Sequence, residues 1–229
     1  RGLAAAAAML LVAMALFWGN AAQATPAQAV RRALAAHRED DGHEYALVVS
    51  AGGMERETTL WTRGDRFRIE PGPAGGAWGQ DGDGSVWLAP TPAAAALFRA
   101  DEVPAVLQEL LAVRSVRLTA LLETVLEGCE LERVAGPAGI DRIKATGEGT
   151  LRRAVLDIGK DGVVRSLELV RRVGPVEATV SLERRGPAGK DAAFYTARGA
   201  VAEDGEVFDR DRPGKRLALL ARHRLGRNR

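Results

Sequence analysis

Residues 57–70, ETTLWTRGDRFRIE, read as two strands folded about one turn. Thr59 and Trp61 lead the first strand, Glu57 to Arg63. Gly64-Asp65 supplies the turn, and Phe67 and Ile69 then alternate with Arg66, Arg68 and Glu70. Successive side chains of a strand point to opposite faces, so this alternation gives one buried and one wetter face. Upstream, Tyr45, Leu47 and Val49 alternate with Ala46, Val48 and Ser50 and stop at Gly52-Gly53. Downstream, Gly72-Pro73 and Gly75-Gly76 lead to Trp78. A turn at Asp81-Gly82-Asp83-Gly84 and the strand Ser85–Leu88 follow. The pattern predicts an antiparallel meander joined by Gly-rich turns.

Helical spacing flanks this meander. Thr25-Pro26-Ala27-Gln28 carries an N-cap, a first-position proline and the Gln of a capping box, and Ala29, Val30, Ala33, Leu34 and His37 follow helical spacing. Val103, Val106, Leu107, Leu110 and Leu111 predict a second helix. Leu118, Leu121, Leu122 and Val125 predict a third, with Ser115 as its cap and Gly128 as its stop. Four more strands are expected at Ile140–Ala145, Leu151–Ile158, Val163–Arg172 and Val176–Arg184, with Lys160-Asp161-Gly162 as a hairpin turn and a short strand at Ala193–Ala197. The order predicts an α+β fold: one antiparallel, unclosed β-barrel-like sheet with helices packed on one face.

The chain has 229 residues, 46% hydrophobic and 27% charged, a globular composition long enough for a sizeable core. The single cysteine, Cys129, excludes an intramolecular disulfide and a cysteine-rich zinc site. His37, His43 and His223 do not stand at metal-ligand spacing. His37 and His43 flank Glu39-Asp40-Asp41, which reads as a solvated connection in preference to a metal site or general base. Cys129 closes an apolar helix and reads as a small hydrophobe, not a nucleophile. Gly82-Asp83-Gly84-Ser85 lacks the downstream glycine of a nucleophile elbow and the spacing of a calcium loop, and reads as a hairpin turn. No metal or cofactor is expected.

Arg1 precedes an apolar run from Gly2 to Trp18, and Ala22-Gln23-Ala24 resembles a cleavage box. Residues 1–24 are therefore expected to be a signal peptide, with a mature start at Thr25, or a membrane anchor whose span is residues 2–18. Either places the rest outside the cytoplasm, in the periplasm. The start at Arg rather than Met fits a piece of a longer protein. Residues 25–211 carry 24 basic and 30 acidic residues, a net charge of −6, which argues against nucleic acid as a partner. Residues 212–229 carry seven basic and no acidic residues, a tail suited to an anionic membrane surface or to the acidic body.

Trp61, Phe67, Trp78 and Trp87 all fall in the first meander. They are either plain core or the wall of an apolar cavity on a curved sheet, and they are the candidate ligand-binding residues. Nothing pairs carboxylates or sets a nucleophile beside a base, so no catalytic residue is assigned.

The phrase Leu60-Trp61-Thr62-Arg63-Gly64-Asp65-Arg66-Phe67-Arg68-Ile69, the exported opening helix, the apolar helical insert and the second meander with Lys160-Asp161-Gly162 resemble the LolA/LolB/RseB superfamily of periplasmic lipoprotein carriers and envelope sensors. The end near Phe208-Asp209 resembles that of similar domains in membrane-anchored anti-sigma-type regulators. The resemblance implies an unclosed antiparallel barrel with helices as a lid. It also implies a non-enzymatic domain that binds an acyl chain or lipoprotein, or an envelope protein partner. A sensor domain of an anti-sigma-type regulator is the alternative, and a secreted hydrolase ranks last.

Overall fold

The computed structural model describes residues 24–38, 42–70, 76–104, 108, 117–173 and 176–225. Its frame is a single twelve-stranded sheet. In chain order the strands are β1 (His43–Ala51), β2 (Met54–Arg63), β3 (Arg66–Glu70), β4 (Ala77–Gln80), β5 (Val86–Thr91), β6 (Ala94–Phe98), β7 (Cys129–Val134), β8 (Ile140–Gly147), β9 (Leu151–Gly159), β10 (Val164–Val173), β11 (Val176–Pro187) and β12 (Glu206–Phe208). Three helices among the described residues are α1 (Pro26–Arg38), α2 (Leu118–Gly128) and α3 (Pro213–Leu225). Across the sheet the order is β12-β6-β5-β4-β3-β2-β1-β11-β10-β9-β8-β7, antiparallel except for β12 on β6. The edge strands β12 and β7 do not pair with each other, so the sheet is unclosed. The expected α+β class is the observed one.

Register explains which residues meet. Ile143, Leu156, Leu167, Leu182 and Leu47 are directly paired neighbours across five strands. Tyr45, Leu60, Ile69, Trp78 and Leu88 form the matching row across the first meander. Both rows face α1 and α2, which add Ala29, Val30, Ala33, Leu118, Leu121, Leu122 and Val125 to one core. The α1 capping box forms as the sequence implies: the Thr25 N–H donates to Gln28 Oε1 at 2.7 Å, and the Gln28 N–H donates to Thr25 Oγ1 at 3.2 Å. At the β9–β10 turn Gly162 has φ +82°, and a Cβ there would lie 3.0 Å from the Arg32 carbonyl oxygen. The glycine lets α1 settle onto the turn.

Among the described residues the other face is covered at the β3–β6 end. Trp61, Arg68, Gly79 and Trp87 are paired neighbours there. A Cβ on Gly79 would fall 2.7 Å from the Trp87 ring, so the indole lies over the glycine. Short 3-10 turns at Ala193–Tyr195 and Arg198–Ala200 close over this patch, and Trp87 Nε1 donates to the Tyr195 carbonyl at 2.8 Å. Ala193–Ala197 is not the expected strand: its carbonyls and amides turn back on themselves and seat Tyr195 and Ala197 in the core. The sequence pattern marks no strand at β4, β6, β7 or β12. The helix expected from Val103 to Leu111 and the cap at Ser115 lie mostly outside the described residues, as do residues 1–23.

The basic tail forms α3 and folds back on β5 and β6. Leu219 enters a small core with Ala96, Phe98 and Phe208. Leu217, two residues earlier on α3, is exposed.

Candidate functional site

The helix-covered side of the sheet is not filled everywhere. α2 buries Leu118, Leu122 and Val125, and its flank at Ala120, Leu121 and Thr124 looks across to the β4–β5 hairpin. Between them lies a cavity of about 420 Å³. Gln80, Gly84 and Val86 form the hairpin wall, and Ala100 and Val103 close one end beside Gln108. Arg117, just before α2, and Arg171 of β10 supply the charged groups. Arg171 follows Leu167 and Leu169 at period two, so a guanidinium occupies a core-side position of the strand. Burial pulls its pKa below the ordinary arginine value.

The sequence-nominated aromatic residues divide between the two faces. Phe67 and Trp78 meet edge to face on the helix side, ring centroids 5.5 Å apart. Trp61 and Trp87 stand on the opposite face, where Trp61 meets Phe194 at 5.5 Å and the Arg68 guanidinium sits 4.2 Å from the Phe194 ring. Arg68 also donates to the Phe194 carbonyl at 2.9 Å and pairs with Glu70 at 2.6 Å. None of the four is among the residues that line the cavity, although Trp78 precedes Gln80 by two positions on the same face. The inward Arg171 was legible in principle. It continues the alternation of Leu167 and Leu169 with a charged residue.

A second concavity, of about 600 Å³, lies on the face away from the helices. Ala46, Val48 and Val155 give it a small apolar floor, and Glu57, Glu168 and Glu183 stand around it. Asp157 takes two hydrogen bonds from Arg142, at 2.6 and 2.7 Å, and one from the Ser166 hydroxyl at 3.0 Å. The Arg142 bonds, with the Ser166 bond behind them, hold the Asp157 carboxyl below the usual carboxylate range. Glu57 pairs with Arg185 at 2.9 Å and Glu168 with Arg153 at 3.3 Å.

His37 and His43 are not in a solvated connection. Both are buried, their rings 5.1 Å apart and edge to face. The Val164 N–H donates to His37 Nε2 at 3.2 Å, and Arg184 Nε donates to His43 Nδ1 at 3.3 Å. Burial, reinforced by His43 and Arg184, lowers the His37 pKa to about 3. Amphipathic spacing put His37 on the apolar face of α1, and that was the signal to weigh. Cys129 opens β7, half-buried, and burial raises its thiol pKa. Among the described residues no group of three or more His, Cys, Asp or Glu is placed to hold a metal ion. No helix among the described residues is long and apolar enough to cross a membrane.

No protein-family profile matches the chain, and no curated protein matches it. Solved structures to which it is similar include the MucA/MucB complex of Pseudomonas aeruginosa, at 12% identity and a TM-score of 0.44, covering 78% of this chain and 63% of that one. A LolA superfamily protein from Nitrosomonas europaea is similar at 11% identity and a TM-score of 0.35, over 73% of this chain and 96% of that one. A DUF1329 family protein from Desulfovibrio piger is similar at 9% identity and a TM-score of 0.31, over 75% and 97%. These include the LolA and RseB kinds that the sequence resembles. The chain spans less than two thirds of the MucB-containing chain. At these scores the matches say nothing of ligand or partner.

Proposed function

We propose that residues 25–211 form a non-enzymatic, extracytoplasmic binding domain, delivered or anchored by residues 1–24, whose ligand is an acyl chain in the cavity beside α2. The observation that carries this reading is the unfilled space itself, about 420 Å³ on the core side of an unclosed sheet. That volume falls within the range of small-molecule sites, about 300–1,000 Å³. Val86, Val103 and Leu121 supply apolar wall, and each methylene buried there contributes about 0.8 kcal/mol. Phe67 and Trp78 share the cavity's face of the sheet, and Trp78 is the natural reporter. Trp61 and Trp87 hold the opposite face. Titration with dodecanol should change tryptophan fluorescence saturably, and Ala120→Trp, which fills the space, should abolish the change. An unaltered spectrum at high probe concentration, with the fold intact by circular dichroism, would refute the reading.

The alternative, a sensor domain that docks an anti-sigma-type or other envelope protein, draws on the 600 Å³ concavity of the far face, where carboxylates surround a small apolar floor. In that reading a basic segment of the partner lies across Val48 and Val155. Glu168→Lys and Glu183→Lys should then weaken partner binding and leave dodecanol binding unchanged. A partner insensitive to both reversals would not use this surface.

A further inference from the structure

One side of α3 is seated on the body. Leu219 enters the core with Ala96, Phe98 and Phe208, and Arg216 holds Glu102 at 3.0 Å and the Leu97 carbonyl at 3.2 Å. Leu217 stands two residues from Leu219, about 200° around the helix. It is 59% exposed and, with Met54, one of two large apolar side chains so exposed among the described residues. Ala218 and Ala221 are exposed as well and fall with Leu217 within an arc of about 100°. A helix docked on a globular body ordinarily turns its polar side to water. α3 turns an apolar strip outward. The charge of this segment has one sign: residues 212–229 hold seven basic and no acidic residues. Arg212 and Lys215 share Glu206, at 3.3 and 3.6 Å, and Arg216 has Glu102, so part of that charge is matched by the body. Arg222, Arg224, Arg227 and Arg229 add four positive charges beyond those pairs. Such charge acts over a Debye length of about 8 Å at physiological salt and needs no single fixed partner. The nearest carboxylates in sequence, Asp209 and Asp211, precede α3 at its other end. Apolar side chains set among cations are the pattern of a helix lying in the headgroup layer of an anionic membrane. A protein groove would ask for several large anchors at helical spacing. On the exposed side of α3, Leu217 is the one large apolar side chain among the described residues.

We propose that the outward side of α3 is a contact surface for anionic lipid headgroups, used with the helix still docked on β5 and β6. Leu217, Ala218 and Ala221 enter the headgroup layer, and the basic residues of the segment gather anionic lipid around them. The rest of the body is net acidic and is repelled by the same surface, so the contact turns the β6–β12 edge of the sheet toward the bilayer. This surface is separate from the cavity beside α2 and from the far-face concavity. It goes beyond the acyl-chain reading and stands or falls apart from it.

The test uses the complete chain with Cys129→Ser and Ala221→Cys, carrying an environment-sensitive fluorophore on the new thiol. A label there reads α3 alone, whatever residues 1–24 contribute to vesicle binding. Phosphatidylcholine vesicles containing about 30% phosphatidylglycerol should shift its emission to the blue, at a half-saturating lipid concentration about tenfold or more below that for phosphatidylcholine alone. Arg222→Gln combined with Arg224→Gln should raise that concentration about tenfold, and Leu217→Gln about three- to tenfold. Neither should alter the tryptophan response to dodecanol. Raising salt from about 0.1 M to about 1 M should act like the arginine substitutions, as the Debye length contracts from about 10 Å to about 3 Å. Equal responses to neutral and anionic vesicles, or no shift with either, would overturn the assignment. A label already shielded in lipid-free solution, and released both by dilution and by Leu217→Gln, would give this face to a second copy of the chain and overturn it as well.

Discussion

At the scale of single residues, His37 carries the sharpest consequence. It lies on the buried face of α1, and its Nε2 accepts the Val164 N–H, so only the neutral ring fits. His43 and Arg184 face it with like charge and disfavour protonation further, while Asp161 opposes them weakly. The folded pKa of about 3 lies below the ordinary histidine value of 6.5. Between those values the unfolded chain binds a proton that the folded chain refuses, so stability is complete above about pH 6.5 and falls as pH drops toward 3. Lowering the pH from 7.5 to 5 should cost about 1–2 kcal/mol by urea unfolding. His37→Gln, whose amide oxygen can accept the same N–H, should lose less over that range. A slope unchanged in the variant would assign the acid sensitivity to other groups. The neighbouring aromatic pair is a packing matter: Phe67→Ala should cost about 3–5 kcal/mol, as for a fully buried ring.

Elements were legible to the extent that their periodicity was clean. β1, β10 and β11 alternate apolar and polar residues because one face meets the helices and the other meets water, and β3 alternates as well although Phe194 covers Arg68 on its far face. β6, Ala94–Phe98, escaped notice because its alanines carry no alternation and both faces of that region are covered. β7, Cys129–Val134, begins directly after the Gly128 stop of α2 with no turn between, and Leu131 and Val134 are its only large apolar residues, too few to mark a strand. The split of the four aromatic residues between faces follows from pairing: Trp78 is opposite Leu88, which puts Trp87, one residue away, on the far side. The cavity could not be read at all, because it is a gap between α2 and a hairpin far upstream in the chain. α1 offers a test at this scale. Gly162→Ala places a methyl 3.0 Å from the Arg32 carbonyl oxygen and 3.1 Å from the Ala36 side chain, at φ +82°. Gly189→Ala meets nothing within 4 Å at φ +58°. The second should cost about 1–2 kcal/mol of backbone strain, and the first should exceed it by about 1–3 kcal/mol because α1 must shift. Equal losses in chemical denaturation would mean that α1 does not press on that turn.

The whole molecule is organised by charge as well as by packing. The body of residues 25–211 is net acidic, the last eighteen residues carry seven basic and no acidic side chains, and α3 packs onto that body. Leu219 is its buried apolar anchor, and ion pairs to Glu102 and Glu206 add to it. Arg216 is the central one. It is mostly buried, its Nη1 donates to the Leu97 carbonyl at 3.2 Å and to Glu102 Oε2 at 3.0 Å, and its guanidinium stands 5.2 Å from the Phe98 ring. Arg212 and Lys215 add outer pairs to Glu206, at 3.3 and 3.6 Å, on more exposed side chains. Exposed pairs are screened by salt and contribute about 0–1 kcal/mol, whereas a shielded pair loses more when one partner is removed, because the other charge stays buried. Glu102→Gln should therefore free α3 more than Glu206→Gln does. Limited trypsin digestion reads this directly, since α3 carries Lys215, Arg216, Arg222 and Arg224. Cleavage within residues 213–225 should accelerate about tenfold or more in Glu102→Gln and only about two- to threefold in Glu206→Gln, with the unfolding midpoint of the sheet little changed in either. Raising salt should hasten cleavage in the wild type and in Glu206→Gln less steeply than the Glu102 substitution does, because the Debye length of about 10 Å at 0.1 M leaves shielded pairs largely intact. Equal cleavage rates in the two variants would show that Leu219 and Phe208, not the Arg216 pair, hold the basic helix against the acidic body.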